Sequence, residues 1–154
     1  MSISFYASAL SGDQIARAFP LIQASWPDAD LPAWQRFVRF FADAPEERAS
    51  GVLGIYDAAG YICGVFAYRL DCDLRRGRIL TIELFTAVDI INSLRPITVA
   101  LELADSRARE LGCTGVRLLL PNDQAKLASR VIATGLSSEA RAYWKPVDTF
   151  EAQN

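Results

Sequence analysis

Acid–base chemistry in this chain has few carriers, because its 154 residues include no histidine. Ser-His-Asp and Cys-His catalysis are excluded, and proton transfer falls to carboxylates, tyrosine, cysteine, lysine, bound water or substrate. Glu83 is the sharpest candidate. It sits inside the apolar run Arg78–Val88, RILTIELFTAV, a setting that perturbs a carboxyl's proton affinity as a general base requires. The plainer alternative is a glutamate on the solvent side of a strand, and the residues alone leave the two balanced. Tyr143 beside Trp144 could act as an acid if its strand folds over the site, although a packing or surface aromatic is the simpler reading. Cys63 and Cys72 have no nearby histidine or helix N-terminus to mark them as reactive, and both read as buried thiols.

A second kind of chemistry is anion binding. After Val88 comes a polar loop, Asp89 to Arg95, and then an amphipathic helix opening at Pro96 and ending before Gly112. A strand from Val116 to Leu120 follows. Such a βαβ unit sets a helix N-terminus at the mouth of a sheet, where free N–H groups and the helix dipole favour an anion. The loop has no glycine. Asn92 and Ser93 read more simply as caps than as ligands, and Pro96 as a helix-start proline. Asn122 is likewise a natural cap for the helix after it.

The elements that position these residues follow from pattern. Ile3 to Ala9 is a weak edge strand. Ser11 to Gln14 has capping-box spacing, with Ser11 as N-cap, and the helix it opens is kinked or broken by Pro20. A second helix has Pro32 near its start and buries Trp34, Phe37, Val38 and Phe41 on one stripe, while Trp26 is freer to line a pocket. Gly51–Tyr56 and Tyr61–Leu70 flank a short turn and read as a hairpin. A polar loop from Asp71 to Gly77 leads to the strand that carries Glu83. A helix from about Gln124 to Thr134 ends at Gly135, a left-handed cap, and a last strand covers Arg141 to Pro146.

This order, β-α-α-β-β-β-α-β-α-β, resembles the GNAT superfamily of acyl-CoA-dependent N-acyltransferases over Ile3 to about Val147, and most clearly over Thr81 to Leu136. The resemblance implies one α/β (α+β) domain over residues 1–154, core about 3–147, with a mixed, mostly antiparallel central sheet flanked by helices. Phe85-Thr86-Ala87-Val88 looks like the end of the family's fourth strand, whose backbone pairs with the pantetheine arm; this implicates Ala87 and Val88. Ser93 to Thr98 aligns with the family's Gln/Arg-x-x-Gly-x-Gly/Ala pyrophosphate loop. Pro96 and Thr98 stand at the two glycines, so Ser93, Arg95 and the N–H groups of Ile97, Thr98 and Val99 are what remains to hold phosphates. Asn122-x-x-Ala125 is similar to the family's Asn-x-x-Ala, whose asparagine contacts the coenzyme arm. Gly135-Leu136 matches a Gly-Phe pair, but Val131 stands where the family keeps an acidic tyrosine. In several members a glutamate on the fourth strand takes the amine proton, often through water; here that residue is Glu83.

The implied activity is acetyl transfer from acetyl-CoA to the amine of a small molecule or peptide by direct attack, with Glu83 catalytic and no metal. The alternative from another class is a GNAT-fold binding or interaction module without catalysis, as a homodimer. A net charge of −2 with scattered arginines gives no reason to expect nucleic acid. Three cysteines without Cys-x-x-Cys spacing argue for reduced thiols and a cytoplasmic protein. Neither a signal-peptide pattern nor a membrane-length apolar run is present.

Overall fold

The computed structural model describes residues 5–44, 49–87, 95–121 and 125–148. β1 (Phe5–Ala9) is followed by α1 (Asp13–Ser25), α2 (Leu31–Ala42), β2 (Gly51–Asp57), β3 (Ile62–Asp73), β4 (Gly77–Ala87), α3 (Arg95–Glu110), β5 (Val116–Leu118) and α4 (Ala125–Ala133). The strands form one sheet in the order β1-β2-β3-β4-β5, with the first three pairings antiparallel and β4–β5 parallel. The expected mixed, mostly antiparallel sheet is therefore present.

Each face of the sheet carries its own apolar layer. On one face Val52, Tyr56, Val65, Ala67 and Leu84 pack with Ala18 and Ile22 of α1 and Trp34, Val38 and Phe41 of α2. On the other, Ile55, Phe66, Leu80, Ile82 and Phe85 pack with Ile97, Ala100, Ala104 and Ala108 of α3 and Val131 of α4. The small residues of α3 recur every four positions, which lets the helix lie close against β4.

α1 departs from expectation twice. Its N-cap is Gly12, at φ 56°, with no side-chain cap; the Ser11 carbonyl, not its hydroxyl, receives the Gln14 N–H (3.2 Å). The helix also runs through Pro20 unbroken. Burial of Ala18 and Ile22 on either side of the proline, with the hydrogen bond from Trp34 Nε1 to the Ile15 carbonyl (2.8 Å), offsets the missing N–H. α2 follows its sequence signals closely. Asp30 Oδ1 accepts the Ala33 N–H (2.8 Å) and Pro32 lies in the first turn.

β3 and β4 extend further than the sequence suggested. Asp71 to Asp73 belong to β3, and the polar loop shrinks to a tight turn over Leu74–Arg76. Asp73 Oδ1 accepts the N–H groups of Arg75 and Arg76, both at 2.9 Å, and Gly77 leaves the turn at φ 75°. Cys72 is thereby exposed rather than buried, while Cys63 is buried.

α4 closes at Gly135 with φ 107°, the left-handed geometry expected there. The strand expected over Arg141–Pro146 does not form. Residues 136–148 are neither helix nor strand, and Tyr143, Trp144 and Val147 are 89%, 90% and 85% exposed. A strand needs a partner edge, and no described strand pairs with this segment.

Candidate functional site

The site is set by an irregularity in β4. Ala67 of β3 faces Leu84, but the next residue, Tyr68, faces Ile82. Glu83 is the extra residue of a β-bulge. The bulge reverses the alternation: Leu80 and Ile82 face α3, whereas Leu84 faces α1 and α2, and Phe85 returns to the α3 side. Simple period-two reading of the strand misses this, and only the two adjacent buried residues Leu84 and Phe85 hint at it.

β5 leaves β4 at the same level. The parallel ladder ends at Ile82 and Leu118, and the last bond runs from the Leu119 N–H to the Ile82 carbonyl (3.0 Å). β4 continues to Ala87, pairing with β3 alone among the described residues. From Glu83 to Ala87, the side of β4 turned toward β5 is, among the described residues, an unpaired strand edge with backbone donors and acceptors to offer.

Glu83 projects to the α2 side of the sheet, into a cleft of about 1250 Å³ between the C-terminal half of α2 and strands β3 and β4. Its side chain is 34% exposed and ion-paired through Oε2 to Nη1 of Arg69. Arg69 also holds Asp71, with Nε 3.3 Å from Oδ1. Arg69 and Asp71 are two apart on β3 and so share a face, a signal that was present in the sequence but carried no chemistry until Glu83 was placed opposite. The pair makes Glu83 neither a carboxyl in an apolar pocket nor a solvated one. It is a carboxylate with one oxygen engaged by a guanidinium.

Two hydroxyls flank it on β4. Thr86 is 3% exposed, and its Oγ1 lies 2.7 Å from Ser25 Oγ, tying the end of α1 to the strand. Thr81, fully buried, has a hydroxyl with no hydrogen-bond partner among the described residues. It lies directly opposite Arg69 in the ladder, hence on the face of the sheet that carries the cleft.

The other expected residues fall as follows. Ala87 ends β4, and Ala87, Ile97 and Val99 all pack into the α3-side layer, with Ile97 3% exposed. The start of α3 and the end of β4 thus border one region, on the face opposite Glu83. Thr98 and Val99 are half-buried in the first turns of α3. Arg95 is the first residue of that helix. Val88, Ser93 and Asn122 lie outside the described residues. Val131, at the tyrosine position, is 5% exposed in the α3-side layer. Tyr143 does not fold over the site. Trp26 is half-buried and packs against the α1–α2 layer without lining the cleft. Burial pushes the Cys63 thiol up, with the Asp57 charge adding to it, and burial likewise raises Cys113.

Among solved structures, aminoglycoside N-acetyltransferase AAC(6')-Iy in complex with CoA superimposes with a TM-score of 0.78 at 9% identity, over 97% of this chain and 98% of that one. A GNAT family acetyltransferase from Staphylococcus aureus gives a TM-score of 0.66 at 11% identity, over 94% and 99%. The chain has the GNAT fold. A protein described as a transcriptional regulator from Bacillus halodurans has this architecture too, with a TM-score of 0.76 at 11% identity over 94% of this chain and 100% of that one. No family profile and no curated protein matches the sequence. Likeness at these identities fixes the GNAT fold, and activity must be argued from the site.

Proposed function

We propose that the protein transfers an acyl group, acetyl in the first instance, from an acyl-CoA to a primary amine. The observation that carries this reading is the coincidence of the β4 bulge with the end of the β4–β5 ladder. A carboxylate and an open strand edge meet at Glu83, so a ligand strand on the edge and an amine in the cleft could approach one point from opposite faces.

The open edge of β4 suits a pantetheine arm, whose amides would bond to backbone near Ala87 and Val88. The start of α3, from Arg95 to Val99, with Ser93 before it, would face the phosphates, and Asn122 would contact the arm. Pro96 supplies no N–H there, so the phosphate contacts rest on the N–H groups of Ile97, Thr98 and Val99. The amine nitrogen would attack the thioester carbonyl, backbone N–H groups near Val88 would stabilise the oxyanion, and the C–S bond would break as the amide forms. Glu83 would accept the amine proton through water, and the departing thiolate would take its proton from solvent, since Val131 offers none. No covalent enzyme intermediate and no metal enter. Three unpaired cysteines support a cytoplasmic setting.

A second reading is a GNAT-fold interaction module acting as a homodimer. The exposed Tyr143, Trp144 and Val147 and the proline in the first turn of α3 favour it. Titration with acetyl-CoA and CoA by calorimetry and thermal shift separates the two. Micromolar, saturable binding supports the enzyme, and no binding at millimolar ligand rejects it.

A further inference from the structure

The cleft at Glu83 has a composition that speaks to the acceptor. One wall is α2, which presents Arg36, Phe37, Arg39 and Phe40; the other is β3 and β4, with Arg69 and Glu83. Its described lining includes three arginines and three acids, the remaining acids being Asp43 and Asp71. Arg69 is engaged by Glu83 and Asp71. Arg36 and Arg39 make no ion pair among the described residues, and Phe40 is 70% exposed although it lines a concave surface.

A polycation such as an aminoglycoside would need an excess of acids, and the described lining has none. Two uncommitted guanidiniums are suited to a carboxylate, which they grip through paired N–H donors. Phe37 and Phe40 add apolar and aromatic surface to the same cleft. Resting on the acyl-transfer reading for the role of Glu83, we propose that the acceptor is a small zwitterion with an apolar body: an amine directed to Glu83, a carboxylate held by Arg36 and Arg39, and an apolar side chain on the phenylalanines. A free apolar amino acid and a short peptide ending in one share this chemistry.

The test is calorimetric binding to the full chain, without acetyl-CoA, of L-phenylalanine, the dipeptide Ala-Phe, phenylalaninamide and kanamycin. The expected result is that one of the two carboxylates binds, and that phenylalaninamide binds about tenfold or more weaker. The variant R36Q/R39Q, with circular dichroism as its check of folding, should lose that preference for a carboxylate. Which carboxylate binds tells the free amino acid from the peptide. The proposal is overturned if phenylalaninamide or kanamycin binds as tightly as the carboxylates, or if neither carboxylate binds at millimolar concentration. A parallel acetyl-CoA titration keeps the two readings apart. Binding of acetyl-CoA without a carboxylate ligand sinks the acceptor class alone, and the reverse pattern sinks acyl transfer while leaving the cleft.

Discussion

The Leu119 N–H donates to the Ile82 carbonyl at 3.0 Å, and it is the last described bond between β4 and β5. The residue after Ile82 is the bulged Glu83. One parallel ladder ends and one antiparallel ladder slips by a residue at the same level. The strand edge beyond Ile82 is unpaired among the described residues, Glu83 stays on the face opposite α3 that alternation with Ile82 gives it, and the slip turns Leu84 onto that same side. Without the bulge, Leu84 would share the α3 face with Ile82, and the buried order of the strand would be lost beyond that point.

Replacing Glu83 with Gln removes the proton acceptor and breaks the pair with Arg69 while conserving shape. The turnover number for acyl transfer should fall by roughly 10²–10⁴-fold, with the affinity for acetyl-CoA little changed. Stability should move by no more than about 1 kcal/mol, since the pair is one-third exposed. Steady-state kinetics beside a thermal melt check this; an unchanged turnover number would remove Glu83 from the mechanism.

Pro96→Gly restores one N–H donor to the first turn of α3. One added hydrogen bond to a phosphate should tighten CoA binding roughly threefold to tenfold. Calorimetry on the wild type and the variant decides it. If the natural protein shows no binding and only the double variant Pro96→Gly with Thr98→Gly binds, the enzyme reading falls and the interaction module stands.

Much of this architecture is legible in the sequence because it rests on periodicity. The stripe Trp34, Val38 and Phe41, Pro32 at the start of α2, and the glycine after α4 are local signals that the fold obeys. What escaped is non-local. Glu83's bulge depends on how Ala67 and Tyr68 pair across the hairpin, and its partner Arg69 lies 14 residues away. The strand expected at Arg141–Pro146 has aromatic residues suited to a sheet but no described partner edge. Pro20 breaks a helix in isolation, yet here the packing of Ala18 and Ile22 carries α1 through it.

Trp34 joins the first two helices through its Nε1 bond to the Ile15 carbonyl, and it is 2% exposed. Trp34→Phe removes that bond between the helices and leaves a gap beside Phe37, whose ring centroid lies 5.9 Å from that of the indole. A loss of about 2–4 kcal/mol is expected. Urea denaturation should show a lower midpoint with an unchanged slope, while a shift below about 0.5 kcal/mol would mean α1 and α2 are held by other contacts.

Alkylation should separate the cysteines. Cys72 is exposed, whereas Cys63 is buried with its thiol pushed up by burial, and Cys113 is raised the same way. Iodoacetamide at neutral pH should label Cys72 first and the half-buried Cys113 more slowly, and Cys63 should react appreciably only after denaturation. Peptide mass spectrometry over time reads the order. Early labelling of Cys63 would contradict its burial in β3.

Asp73 gives the fold an acid-sensitive point. Its carboxyl is held below the usual range first by the N–H groups of Arg76 and Arg75 and then by Arg117, whose Nη2 lies 2.6 Å from Oδ2. A folded-state value below the unfolded one means that folding favours the ionised form. That stabilisation is complete above the ordinary aspartate value, near ~3.9, and it is lost as pH falls through the lowered folded value. Asp73→Asn keeps an oxygen for the turn's N–H groups but abolishes the charge opposite Arg117. At neutral pH the variant should melt below the wild type. The gap should narrow as the pH falls below about 4 and close once Asp73 is protonated in both states. Melting curves from about pH 7 to pH 2.5 provide the check, and a gap that stays constant across that range would show that the charge contributes nothing and that only the side chain's shape matters.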